Sequence, residues 1–179
     1  MLSLLRVLKK FYPVTEELSQ QLYVIVGDAH YKRYNLLLRE GEVDRHIWFI
    51  EKGLVALLRN DKVTHILDAD HFVIAPDSWA TGCPTGFTIQ ALEDTLTWRT
   101  THTAVIETCN MLPDFWHHYT AIEAFYRKEE ADFGSQSSEK KFDDIWNNRR
   151  NLFSRVKKEY LASYCGMSMT RFEQYRKSK

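Results

Sequence analysis

The apolar positions of this chain change period twice. Over 15–26 they recur at helical spacing, with Leu18, Leu22, Ile25 and Val26 on one face. Thr15 is placed to cap that helix, Glu16 and Glu17 suit its positive first turn, and Gly27-Asp28 ends it. From Tyr34 to about His102 the pattern becomes short runs rich in Ile, Val, Thr and aromatics, at 34–39, 46–51, 54–59, 62–67, 72–75, 87–92 and 96–101. Gly41, Gly53, Asn60-Asp61, the stretch 68–70 and Gly82 punctuate them, and Asn60-Asp61 reads as a hairpin turn. Many short strands divided by tight turns predict a closed two-sheet or barrel architecture. Pro113 and Asp114 then suit the start of a second helix, along which Phe115, Tyr119, Ile122, Phe125 and Tyr126 form an aromatic stripe reaching about Phe133. That stripe can pack on the β unit and also pair with its own copy. Gly134-Ser135-Gln136-Ser137-Ser138 is the best boundary, and three helical patterns follow at 138–147, 157–165 and 168–177.

The last two patterns form a corner. Leu161 and Cys165 share a face of the first helix, Phe172 and Tyr175 share a face of the second, and Met167 sits between them as a plug. Small Ala162 permits close approach, Gly166 supplies the turn, and Ser168 can cap the second helix. This is the layout of a helix-turn-helix. Its second helix exposes Met169, Thr170, Glu173, Gln174 and Lys177, with Arg149, Arg150, Arg155, Lys157, Lys158, Arg171 and Arg176 placing positive charge around it. Phosphate contacts from such cations set register, and a few side chains at base edges carry sequence. A two-helix corner also closes folds that never touch DNA, so the alternative is a solvated basic cap.

Charge separates these readings further. The chain carries 24 Lys+Arg and 24 Asp+Glu, a net charge of zero, which taken whole argues against a nucleic-acid binder. Resolved along the chain, residues 1–148 hold 15 basic and 22 acidic residues, whereas 149–179 hold 9 basic and 2 acidic. Hydrophobic content of 44% and aromatic content of 13% are those of a globular protein. Cys83, Cys109 and Cys165 form no CxxC pair, which argues against a disulfide framework or zinc site and suits a reducing cytosol. The opening Met1-Leu2-Ser3-Leu4-Leu5-Arg6 is too short and too soon charged for a signal peptide, and no apolar run approaches the roughly 20 residues of a membrane span. A cytoplasmic protein without a membrane partner is expected. No catalytic constellation stands out. Asp143-Asp144 and Glu129-Glu130 read as solvated helix faces, and His117-His118 point to different sides of one helix. The barrel-region histidines His46, His65, His71 and His102 include no His-x-His of the kind a metal-binding barrel enzyme would carry. No enzyme activity, cofactor or metal is expected.

Over about 11–179 the chain resembles the Crp/Fnr family of transcription regulators. Leu38-Arg39-Glu40-Gly41-Glu42 is similar to the family's "reG" turn, and Ile47-Trp48-Phe49-Ile50-Glu51-Lys52-Gly53-Leu54-Val55 to its "lyfI.sGlv" strand pair. Ile89-Gln90-Ala91-Leu92-Glu93-Asp94-Thr95 resembles its final hairpin, and Tyr160-Leu161-Ala162-Ser163-Tyr164-Cys165-Gly166-Met167-Ser168 its "yiAsylGis" corner. The resemblance implies an α+β fold: an N-terminal double-stranded β-helix (β-roll or jelly roll) with flanking helices, a long dimerisation helix and a small C-terminal helix-turn-helix domain. The expected divisions are 1–112, 113–136 and 137–179. It also implies a homodimer on double-stranded DNA, read by Ser168, Met169, Thr170, Arg171, Gln174, Arg176, Lys177 and Lys158.

Nucleotide-binding members carry a Gly-Glu pair with an Arg nine or ten residues on. Here Ile74 to Phe87 contains no Gly-Glu, and Thr85 or Gly86 stands where the Arg belongs. Without that cation, burying a cyclic phosphate is costly. Any effector is then a different small molecule, with Asp77, Trp79, Thr85 and Gly86 near its pocket. The chain as given stops after the corner, so the β-wing of many relatives is not expected. A family member acting through protein partners, without sequence-specific DNA binding, is the other reading.

Overall fold

Residues 27–101 fold as two antiparallel sheets whose inner faces share one core. The first has the order β1 (Gly27–Tyr31), β8 (Thr95–Thr101), β3 (His46–Lys52), β6 (Phe72–Val73). The second runs β2 (Leu36–Leu38), β7 (Thr88–Ala91), β4 (Leu54–Arg59), β5 (Lys62–Asp68). This computed structural model describes residues 1–179, the side chains of Pro76, Asp77, Ala80, Glu129 and Glu130 excepted. The expectations placed on Asp77 and on Glu129-Glu130 therefore lie outside the described side chains.

Trp48, Ile50, Val55, Leu57, Phe87 and Ile89 fill the space between the sheets. Because successive strand residues point to opposite faces, their neighbours Ile47 and Phe49 face outward from the first sheet. There they meet α1 (Leu2–Leu8), α2 (Glu16–Ile25), α4 (His102–Met111) and α5 (Phe115–Gly134). Leu54, Ala56, Val63 and Ile66 face outward from the second sheet, under the C-terminal helices. Strands β3 and β4 are thus covered on both faces. That is why Ile47-Trp48-Phe49-Ile50 and Leu54-Val55-Ala56-Leu57 are unbroken apolar runs rather than alternating ones.

Two backbone details set the register. Asn60 and Asp61 take φ +50° and +60°, the left-handed pair of a two-residue hairpin turn between β4 and β5. Gly53, at φ +115°, lies so close to β8 that a Cβ there would stand 2.7 Å from the Thr95 Cα. Only glycine fits.

The helix expected over 15–26 spans Glu16–Ile25, with Thr15 Oγ1 accepting from the Leu18 N–H at 3.1 Å. Gly27-Asp28 does more than end it, because Gly27 opens β1, which pairs along its length with β8. Helices α1, α4 and the short α3 (Pro76–Thr81) add to the elements the pattern predicts. The C-terminal segment forms α6 (Ser138–Asn148), α7 (Leu152–Arg155), α8 (Lys158–Cys165) and α9 (Met169–Lys177). Phe142 is its hub, with ring centroids of Phe172, Phe153 and Tyr175 at 5.2, 5.7 and 5.0 Å. Phe142, Ile145, Leu152, Leu161 and Phe172 bury against Leu54, Ala56 and Ile66, so helices and sheet share one core.

Candidate nucleic-acid interface and roll cavity

The corner between α8 and α9 is built from local chemistry. Gly166 closes α8 at φ +67°, where a Cβ would be strained. Its N–H donates to Ser163 O at 2.9 Å and that of Met167 to Ala162 O at 2.9 Å, using carbonyls that the helix end leaves open. Met167 is buried in the corner, and Ser168 Oγ accepts from the Arg171 N–H at 3.3 Å as the cap of α9. Phe172 turns inward. Met169, Thr170, Arg171, Gln174 and Lys177 stay exposed, while Glu173 and Arg176 are half-buried.

The surrounding cations divide into two sets. Arg149 and Arg155 face the sheet rather than solvent, which corrects their expected place around α9. Arg149 donates to Ile66 O at 2.8 Å and lies 3.7 Å from Asp68, and Arg155 takes both carboxylate oxygens of Glu93 and reaches Gly53 O at 3.3 Å. The others lie nearer α9 but are mostly compensated: Lys158 pairs with Glu173 at 2.7 Å, Arg171 with Glu139, and Lys179 with Asp143 at 2.7 Å. Arg176 approaches Glu173 at 3.9 Å. Polar contacts also tie α8 to the sheet. The Val63 N–H donates to Ser163 Oγ at 2.9 Å, and Tyr160 Oη donates to Gln90 Oε1 at 2.9 Å.

A cavity of about 150 Å³ opens where roll, α5 and C-terminal helices meet. The roll contributes Leu57, His65, His71 and Phe87, α5 contributes Glu123, Tyr126 and Arg127, and the C-terminal segment contributes Arg149 and Tyr164. Space of this size accepts about one aromatic ring. Arg127 pairs with Glu123 at 2.6 Å. His71 is pushed above the usual imidazole range by its hydrogen bond to Asp68, which in turn falls below the usual carboxylate range. Burial pushes the Tyr164 hydroxyl and the Cys165 thiol up to about 12, so both stay protonated.

The residues expected to line a ligand pocket lie elsewhere. Trp79 is buried outside the roll, its Nε1 donating to Tyr119 Oη at 3.0 Å and its ring centroid 4.6 Å from that of His102. Thr85 is buried in the loop before β7, where Oγ1 accepts from the Phe87 N–H at 3.0 Å and its backbone bonds to Gly41 and Glu42. Neither these two nor Gly86 lines the cavity. Its walls come from positions spread between Leu57 and Tyr164, a grouping that no local motif announces. His117 and His118 do part, His117 exposed and His118 fully buried. Among the described residues no three His, Cys, Asp or Glu side chains converge as metal ligands, and no helix is long and apolar enough to cross a membrane.

No protein-family model matches the chain, and no curated protein matches it in sequence. Solved structures do match in fold. A cyclic nucleotide-binding domain from Methylobacillus flagellatus KT aligns over 73% of this chain and 79% of its own, at 17% identity and TM-score 0.64. FixK2 from Bradyrhizobium japonicum aligns over 86% and 84%, at 10% identity and TM-score 0.69. The catabolite activator protein of Thermus thermophilus aligns over 96% and 85%, at 16% identity and TM-score 0.59. The fold is that of the cyclic nucleotide-binding β-roll with flanking helices, and the N-terminal domain of a transcriptional regulator from Streptomyces coelicolor A3(2) also matches it, at 20% identity and TM-score 0.57.

Proposed function

We propose that the chain is a dimeric DNA-binding transcription regulator of the Crp/Fnr type, with a β-roll unit at 1–112, a dimerisation helix and hinge at 113–136 and a helix-turn-helix unit at 137–179. The observation that carries the reading is α9. It is capped, anchored by one buried aromatic, and offers Met169, Thr170 and Gln174 to solvent beside Lys158, Arg171, Arg176 and Lys177. In this reading Ser168, Met169, Thr170 and Gln174 face base edges. The cations exchange their carboxylate partners for phosphates. Trp116 and Phe125, exposed on α5, supply apolar surface for pairing with a second copy. The cavity, not a cyclic-phosphate cassette, is the place for an effector, which would touch roll, α5 and α8 together.

Anisotropy of a labelled duplex across salt concentrations tests the reading. Affinity should fall with a log–log slope of about −0.9 per phosphate contact. Met169→Ala, Thr170→Ala and Gln174→Ala should change sequence preference, whereas Arg171→Ala and Lys158→Ala should weaken all sequences alike. A flat salt response would overturn it. One observation favours the second reading, a regulator acting through protein partners: Lys158, Arg171 and Arg176 are already engaged with Glu173 and Glu139. That reading predicts an intact dimer without duplex affinity.

A further inference from the structure

Most C-terminal cations have carboxylate partners, and two cations at one edge of the molecule do not. Arg33, in the turn between β1 and β2, and Lys157, just before α8, are both exposed and both lie against the ring of Tyr34, at 5.1 and 4.6 Å from its centroid. Neither has a carboxylate partner among the described residues. Two nearby acids are occupied: Asp94 takes Lys32 and the Arg33 N–H, and Glu93 takes Arg155. Glu159 is exposed one residue past Lys158.

The turn is held rigidly enough to be a platform. Tyr34 sits at φ +69° with its N–H on Ala91 O at 2.8 Å, and the Asn35 N–H closes on Lys32 O at 2.9 Å. Gln90 ties this turn to α8, donating from Nε2 to Tyr34 O at 3.0 Å and accepting from Tyr160 Oη. The Arg33 guanidinium also reaches Arg155 O at 3.4 Å. A roll side chain is thus fixed beside the N-terminal end of α8, next to Lys158, which pairs with Glu173 of α9.

Two like charges that share one ring, neither of them in an ion pair among the described residues, repel each other, and an anion between them relieves that repulsion. We infer that Arg33 of the β-roll joins Lys157 in gripping a backbone phosphate of the duplex bound at α9, so that the roll itself is part of the nucleic-acid interface. This rests on the proposed DNA binding. Although residues 1–148 carry more acidic than basic residues, this turn then supplies a backbone contact outside the helix corner.

The test uses the full-length protein and a labelled random-sequence duplex of about 40 base pairs, titrated between about 0.05 and 0.3 M salt. Arg33→Gln and Lys157→Gln should each make the log–log slope shallower by about 0.9, and the double variant by about 1.8. At 0.1 M salt each should weaken binding several-fold to about tenfold, equally on every sequence, with thermal melting unchanged because both side chains are exposed. Unchanged affinity and slope in Arg33→Gln, while the wild type binds and Arg171→Ala weakens binding, overturns the roll contact and leaves the function standing. A wild type with no duplex affinity overturns both.

Discussion

His118 is a buried polar side chain that the core leaves unpaired, and replacing it should stabilise the protein. It lies on α5, fully buried, with neither ring nitrogen hydrogen-bonded among the described residues. Its surroundings are rings, Tyr12 at 5.5 Å and Phe115 at 5.9 Å between centroids. Leaving a donor or acceptor buried and unsatisfied costs about 1–3 kcal/mol, so His118→Leu, close in volume, should gain about that much at pH 7.5. Burial, aided by the neighbouring His117, lowers the His118 pKa below its ordinary 6.5. The unfolded chain therefore takes up a proton below pH 6.5 that the folded protein refuses, and stability falls with pH at up to about 1.4 kcal/mol per unit. The variant lacks this loss. Its advantage should widen by up to about 2 kcal/mol at pH 5.0, since titrations not coupled to His118 cancel in the difference. Urea unfolding of both proteins at the two pH values reads this directly. A variant less stable than wild type at pH 7.5, or a gap that does not widen on acidification, refutes the reasoning.

Other perturbations report on the remaining parts. Gly166→Ala forces a Cβ into φ +67° and should cost about 1–2 kcal/mol in urea unfolding; a neutral effect would mean the corner does not depend on that conformation. Phe142→Ala should cost about 3–5 kcal/mol and also speed amide exchange in β4 and β5, because helices and sheet share a core. Exchange that accelerates only in the helices would contradict the shared core. His71 is raised by Asp68, so their pairing stabilises fully below pH 6.5 and fades as pH rises through the higher folded pKa. Asp68→Asn should therefore cost more at pH 6 than at pH 8.5, and an equal cost at both would exclude this titration.

Much of the fold was legible where local chemistry decides it. Strand β4 runs Leu54–Arg59 as its apolar run indicates, Asn60-Asp61 takes left-handed turn angles, and Thr15, Gly166 and Ser168 act as caps at the expected places. Strand β1 was not legible, because Gly27-Asp28-Ala29-His30-Tyr31 is an edge strand with little buried surface and so no alternation. The cover over the second sheet had a readable sign in Leu54-Val55-Ala56-Leu57, since four consecutive apolar residues mean two buried faces. What covers the outer face is a tertiary fact. The basic surplus of 149–179 leaves the direction of each cation open for a related reason: a charge count cannot tell a cation aimed at solvent from Arg155, whose guanidinium is bound to Glu93 sixty-two residues away. For the candidate site, the α8–α9 corner was readable, whereas the cavity draws on residues far apart in the chain.

Selection of bound duplexes from a random pool, run with the full-length protein at low and at moderate salt, tests the central claim most directly. The account predicts a two-fold symmetric motif with half-sites about one helical turn apart, retained in smaller amount as salt rises. Recovery of no motif at either salt from a protein shown to be an intact dimer would contradict it.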